Sequence, residues 1–276
     1  MNFLLLFFIS IAAGLVAALS GMGGGVILIP IMTALGIDIK QVIAVSSLAL
    51  VAISSSASLG NIRRHTPNLR IAAFLEIFAV IGAFTGALIT LALKKQVLFL
   101  LCGIFLLTGS LFFWKQRKLI LKLPAQQDVF TQKLGWEGSY YDHVEGKTIS
   151  YQGKRALLAG VLVFGTGVIS PLLGFGGNAF TVLIHNSIIE LPPKVSLTMS
   201  NLIMGLIALA GVNVYMEGGL LNPNLIVPVI PGVVLGALIG SQLLVHSSNQ
   251  FVRRFFVIVL IVLSIELILQ GLQGIF

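Results

Sequence analysis

Gly21-Met22-Gly23-Gly24-Gly25 and Gly174-Phe175-Gly176-Gly177-Asn178 interrupt two long apolar runs, half a chain apart, in nearly the same order of residues. Glycine weakens a helix, and a broken helix frees backbone groups that hydrocarbon cannot satisfy. Such a break at matching places in both halves is the pattern of a membrane transporter built from repeats, with its site at the breaks.

The rest of the chain fits that reading. Of its 276 residues, 57% are hydrophobic and only 9% charged, with a mean hydropathy of +1.04. The apolar runs, about 17 to 25 residues each, are long enough to cross a bilayer as helices. Strand-like alternation is missing, which excludes a barrel. The formal net charge of +8 sits in the loops, where it sets orientation rather than nucleic-acid binding. The lone Cys102 offers no disulfide within the chain. The apolar run beginning at Met1 lacks a basic start and continues past Leu19, so it reads as a first membrane helix rather than a signal peptide.

In the first half, apolar residues run from Phe3 to Gly36, then about Gln41 to Gly60, Ile71 to Leu93 and Val97 to Trp114. In the second they run from Ala156 to Ile189, Val195 to Met216, Leu225 to Val245 and Phe251 to Ile275. Gly21, Gly23 and Gly24 match Gly174, Gly176 and Gly177; Lys40 matches Lys194; Ser46-Ser47 matches Ser200-Asn201. Gly86-Ala87-Leu88-Ile89 returns as Gly236-Ala237-Leu238-Ile239. The shared order points to duplication.

Charge gives the repeats opposite orientations. Arg63, Arg64 and Arg70 mark one loop of half one, whereas the matching loop of half two, Glu217 to Asn224, has no Lys or Arg. Lys194 and Arg253-Arg254 mark the alternate loops there, and Lys94-Lys95 is the exception. Basic loops that change places fit inverted repeats under the positive-inside rule. Each block of about 34 residues is long enough for a full helix plus a short return segment. The expectation is an all-α integral membrane protein: eight long transmembrane helices, two short broken or re-entrant segments and two inverted repeats. The expected units are 1–114, a linker 115–155 with a small β-hairpin around Glu145-Gly146, and 156–276. The linker would be cytoplasmic and both termini outside, in a prokaryotic plasma membrane.

Broken helices present free N–H groups and a positive dipole end to anions. Gly23, Gly24, Gly25, Gly176, Gly177 and Asn178 are therefore candidate binding residues, although Gly21-x-x-x-Gly25 also fits close helix packing. Ser46, Ser47, Ser200 and Asn201 offer neutral donors at paired positions; hydrogen bonding within or between helices is the alternative. Ser54-Ser55-Ser56 reads as packing, and His65 as loop charge. His185 and Asn186 stand where half one has Met32 and Thr33, a polar asymmetry suited to selectivity or proton coupling, or to a structural hydrogen bond. Glu76 and Glu266 are carboxylates inside apolar runs and candidates for coupling. The chain carries no Walker lysine motif, HExxH, CxxC or GxSxG, so neither an enzyme nor a metal or cofactor is expected.

The Gly-Met-Gly-Gly-Gly-Val-Ile-Leu-Ile-Pro run, its copy Gly-Phe-Gly-Gly-Asn, and the Ser-Tyr-Tyr-Asp…Gly-Lys-Thr…Tyr linker resemble the TauE/SafE family over essentially the whole chain. The resemblance implies a carrier of small sulfur-containing anions such as sulfite, thiosulfate or sulfoacetate, with eight membrane helices in two repeats. It makes the glycines, serines and asparagines above substrate-site candidates. Asn178 in place of a third glycine, and Leu183 in place of Pro30, mark where the second half-site departs from the first. Export can run on the membrane potential or on protons; an anion channel with the same lining is the alternative.

Overall fold

The computed structural model describes residues 3–20, 23–62, 68–115, 128–142, 146–246 and 249–273. Gly21, Arg63, Arg64, His65 and Glu145, all used above, lie outside the described residues. The architecture is helical apart from one hairpin. Half one holds α1 (Phe3–Ser20), α2 (Gly25–Ala34), α3 (Ile39–Ile62), α4 (Leu69–Ala92) and α5 (Lys95–Lys115). The linker carries α6 (Val129–Lys133), β1 (Glu137–Asp142) and β2 (Lys147–Gln152). Half two holds α7 (Ala156–Leu173), α8 (Asn178–Ser187), α9 (Pro193–Glu217), α10 (Pro223–His246) and α11 (Asn249–Gln273).

Among the described residues, the helical stretches Leu69–Ala92, Ala156–Leu173, Val195–Glu217 and Pro223–Gly240 are long and apolar enough to cross a membrane. Shorter apolar helices accompany them, and large hydrophobic side chains such as Phe8, Ile77, Leu88 and Val262 face outward. The chain is an all-α membrane protein.

Glycine sets how closely the helices pack. α1 lies on α10, where a Cβ on Gly232, Gly236 or Gly240 would collide with the carbonyls of Phe7, Ile11 and Leu15. α7 lies on α4, where a Cβ on Gly82 or Gly86 would collide with those of Phe164 and Val168. Small residues at such seams let backbones approach, and dispersion takes the place of a hydrophobic driving force that lipid cannot supply. Exchanging the halves maps the α1–α10 contact onto α7–α4, and maps α3–α9 and α5–α11 onto themselves.

Backbone and side-chain bonds fix the ends of the bundle. At one end, the Asp38 carboxylate pairs with Lys95, and Lys40 Nζ donates to the Leu91 carbonyl at 2.7 Å. The α2–α3 and α4–α5 turns therefore share that end. At the other end of α4, Asn68 caps the helix through Arg70 N and Ile71 N and donates to the Glu137 carbonyl of β1 at 3.0 Å. Buried Trp136 packs edge-on to Phe74, ring centroids 5.4 Å apart, and anchors the hairpin there. The Lys154 N–H, just before α7, reaches the Ile189 carbonyl, just after α8, at 3.1 Å. α7 and α8 thus leave and return to the hairpin end.

The linker also caps α7. Asp128 accepts from Arg155 N at 2.9 Å and from the Thr131 hydroxyl at 2.6 Å, and that hydroxyl oxygen accepts from Ala156 N at 3.0 Å. Burial pushes the Asp128 carboxyl up, but its hydrogen bonds from Thr131 and Arg155 outweigh that and hold it below its ordinary value.

Two predictions follow from these contacts. Gly86→Leu must part α4 from α7 and lowers the thermal unfolding midpoint in detergent. Gly165→Ala, where nothing lies within 4 Å of the added Cβ, leaves the midpoint unchanged or raises it. Because the folded Asp128 carboxyl titrates low, its contribution is present above the ordinary carboxylate pKa of ~4 and is lost as pH falls through the lower folded value. Asp128→Asn therefore lowers the midpoint at neutral pH and shows a smaller further drop on acidification.

Candidate functional site

The chain turns at each glycine break because glycine allows it. Gly23 sits at φ 89° and Gly174 at φ 67°, backbone that side chains with a Cβ rarely adopt. The two breaks then meet backbone to backbone. A Cβ on Gly23 would lie 2.9 Å from Gly176 N, and one on Gly25 would overlap the Gly174 carbonyl. Gly25 is therefore a packing glycine.

Gly24 and Gly177 are different. Each is the N-cap of a ten-residue helix, α2 and α8, and neither supplies a side-chain cap. An added Cβ would find its nearest neighbours at 3.7 Å in both cases, an ordinary contact, and neither residue has a positive φ. Neither space nor backbone conformation demands glycine there. The Cβ position of Gly24 faces Ala13 and Val233, and that of Gly177 faces Thr166 in the wall of a separate cavity of about 400 Å³.

Beside the meeting point lies a cavity of about 390 Å³. Gly23, Gly176, Asn178, Asn201 and Ser54 supply its polar wall, and Leu50, Ile53, Leu197, Met204 and small alanines its apolar wall. No charged side chain lines it among the described residues. Asn178 Nδ2 donates to Asn201 Oδ1 at 2.7 Å and ties α8 to α9.

The remaining sequence candidates fall around this cavity or away from it. Ser47 is buried and spends its hydroxyl on the Ile43 carbonyl at 2.9 Å. Ser200 Oγ lies 3.2 Å from His185 Nδ1, one residue from the cavity-lining Asn201. Glu76, on α4, is half-buried next to outward-facing Ile77. Glu266, on α11, accepts from Gln270 Nε2 at 3.2 Å. Neither carboxylate lines the cavity. Ser54, read from sequence as packing, is in its wall; the signal was its position two turns beyond Ser46-Ser47 on α3.

Buried polar atoms without partners fall on α3 and α8, and Asn178 among them lines the cavity. Ser46 Oγ, Asn178 Oδ1, His185 Nε2 and Asn186 Oδ1 are buried and make no hydrogen bond. Native structures leave few such groups, and each one calls for an explanation. All four belong to residues that the sequence nominated, and three of those residues are on α8. The larger groove of about 830 Å³ along the hairpin lacks this feature, since its Lys154 and Glu190 satisfy each other at 2.7 Å.

With this geometry in hand, the comparisons with known proteins are specific. The family described as Sulfite exporter TauE/SafE matches residues 6–267. The chain is 26% identical over 281 residues to the probable membrane transporter protein YunE of Bacillus subtilis, covering 99% of each chain. It is 26% identical over 265 residues to the probable membrane transporter protein YfcA of Escherichia coli K12, covering 95% of this chain and 88% of that one. No solved structure matches it significantly.

The two matching serines, Ser46 without a partner and Ser200 with one, answer oppositely to substitution. Ser46→Ala removes a buried hydroxyl that bonds to nothing and keeps or raises the thermal midpoint, whereas Ser200→Ala strips a partner from His185 and lowers stability by about 1–3 kcal/mol. Parallel melts of the two variants in detergent check the contrast.

Proposed function

The chain belongs to the TauE/SafE family and is a membrane transporter, not an enzyme, and from that premise we propose that it is a secondary carrier exporting small sulfur-containing anions. Sulfite, thiosulfate and sulfoacetate are the substrate class. The anion binds between the two glycine breaks, held by the N-terminal turns of α2 and α8 and by the Asn178–Asn201 amides. The observation that carries this reading is the pair Gly24 and Gly177: glycine at both N-caps where neither packing nor φ requires it.

Neutral donors suit the task. A lysine at this depth would hold an anion too firmly and would itself be costly when the site is empty. Hydrogen bonds from backbone and amide groups cost less to break at release. The close contact of Gly23 with Gly176 and of Gly25 with Gly174 argues for a carrier over an open pore.

The transport cycle in this proposal is alternating access by two inverted repeats of four long helices and one short helix each. The mapping of contacts when the halves are exchanged supports it, as do the ends shared by α2–α3 with α4–α5 and by α7 with α8. Basic loops put the hairpin linker in the cytoplasm and both termini outside, in a prokaryotic plasma membrane.

The test is flux of sulfite, thiosulfate and sulfoacetate in proteoliposomes, with Gly24→Ala and Gly177→Ala as the variants. Both variants are expected to fold, because an added Cβ meets nothing closer than 3.7 Å, and to slow flux at least tenfold. Full flux in both folded variants sinks the proposed site.

A further inference from the structure

α8 carries one titratable side chain, His185, and it is fully buried. Its Nδ1 lies 3.4 Å from the Ser196 carbonyl oxygen and 3.2 Å from Ser200 Oγ. A carbonyl can only accept, so we assign the ring proton to Nδ1, with the Ser200 oxygen as a second acceptor, and the lone pair to Nε2. Nε2 has no hydrogen-bond partner. The result is a buried base held by one edge, on a short helix hinged at the Gly174–Gly177 break.

Among the described side chains, none beside it supplies another charge. α7, packed on α8, contains no titratable residue at all. α9, also packed on α8, carries Tyr215 and Glu217 about four turns beyond Ser200, and Lys194 near its start, whose side chain is outside the described residues. Tyr215 is tied to the Pro171 carbonyl at 2.6 Å, and Glu190, after α8, to Lys154. From α5, the contact with α8 is Phe105 on Phe180.

Half one lacks the device. At the positions matching His185 and Ser200 stand Met32 and Ser46, both fully buried, and there Ser46 Oγ is without a partner. At the positions matching Asn178 and Asn201 stand Gly25 and Ser47, the one against Gly174 and the other bonded within its own helix. Both polar bridges between short helix and following helix are therefore confined to half two.

We propose that His185 Nε2 is the proton-binding site of a coupled carrier that moves a proton together with the anion, with Ser200 as its positioning residue. The inference rests on the carrier reading above. A proton taken up at Nε2 makes both ring nitrogens donors, while Nδ1 keeps the Ser196 carbonyl and the Ser200 oxygen as its acceptors. A positive charge then stands on α8 two turns, roughly 10 Å, from Asn178. With no described carboxylate beside it, the bound anion is the available counter-charge. Proton and anion therefore bind better together than apart, which is the thermodynamic condition for coupling. Isolated loading by the proton leaves a buried charge unpaired, so the doubly loaded and doubly empty forms are the ones that cross. The proton is taken up on one face of the membrane and released on the other with the anion.

The experiment uses proteoliposomes loaded with a pH dye and an outward gradient of sulfoacetate or of thiosulfate, neither of which binds protons near neutral pH. In the wild type, protons leave with the anion in a fixed ratio. In His185→Gln, anion movement slows and the ratio of protons to anion falls at least tenfold; His185→Met, which installs the residue of the matching position in half one, gives the same loss if the glutamine variant does not fold. Ser200→Ala lowers the ratio less. Anion movement by the wild type without protons, or an unchanged ratio in a folded His185 variant, overturns the inference and leaves the carrier reading standing. Movement of neither probe overturns both.

Discussion

Every other feature depends on two pieces of non-helical backbone meeting inside an apolar bundle. Peptide groups that leave a helix at that depth have no water to turn to. Here each break closes against the other, Gly23 on Gly176 and Gly25 on Gly174, so close that no side chain fits between them. That contact fixes where α2 and α8 begin. It also explains why a glycine at 23, 25 or 174 is a matter of packing and conformation, while at 24 and 177 it is not.

The helices around this contact hold it by the same means. The seams of α1 with α10 and of α4 with α7 run on glycines that face backbone carbonyl oxygens of the partner helix. Such seams are stiff, because they can be neither compressed nor filled. The short helices are held differently. α2 ends in a turn tied by Asp38 to Lys95, and α8 in a turn bearing Glu190 tied to Lys154, and the two ties are at opposite ends of the bundle. Rigid long helices and individually tethered short ones suit gating in which α2 and α8 are the parts that move.

The sequence was legible where chemistry is local. Glycine clusters inside over-long apolar runs announced α2 and α8, because only a broken helix needs them. Glu145-Gly146 announced the hairpin, which pairs Glu137 to Asp142 with Gln152 to Lys147. What could not be read is which apolar face is lipid and which is bundle, since hydropathy is the same for both. Glu76 and Glu266 were nominated on depth alone, and they sit on α4 and α11 beside outward-facing Ile77 and Leu269, away from the cavity. Ser54 was passed over for the converse reason: a serine triplet looks like packing until α9 and the second glycine break bring Asn201 and Gly176 opposite it. Trp136 under the hairpin and Tyr215 on the Pro171 carbonyl are likewise long-range contacts with no local signature.

The unequal halves carry a further consequence. In a carrier made of two inverted copies, the inward- and outward-open forms differ by which copy adopts which conformation. Identical copies would make the two forms equal in energy, and only the substrate gradient would set direction. Here the short helix of half two is bridged to the following helix by Asn178–Asn201 and by His185–Ser200, and the short helix of half one by neither matching pair. Moving α8 away from α9 breaks both bridges; moving α2 away from α3 breaks neither of their counterparts. Under the carrier reading proposed above, the two access states are unequal before any ligand arrives, and the resting form is the one that keeps α8 seated. The residues that give half two its polar chemistry are thus the same residues that bias the carrier toward one face, and an anion or a proton that competes for Asn178 or His185 shifts that bias directly.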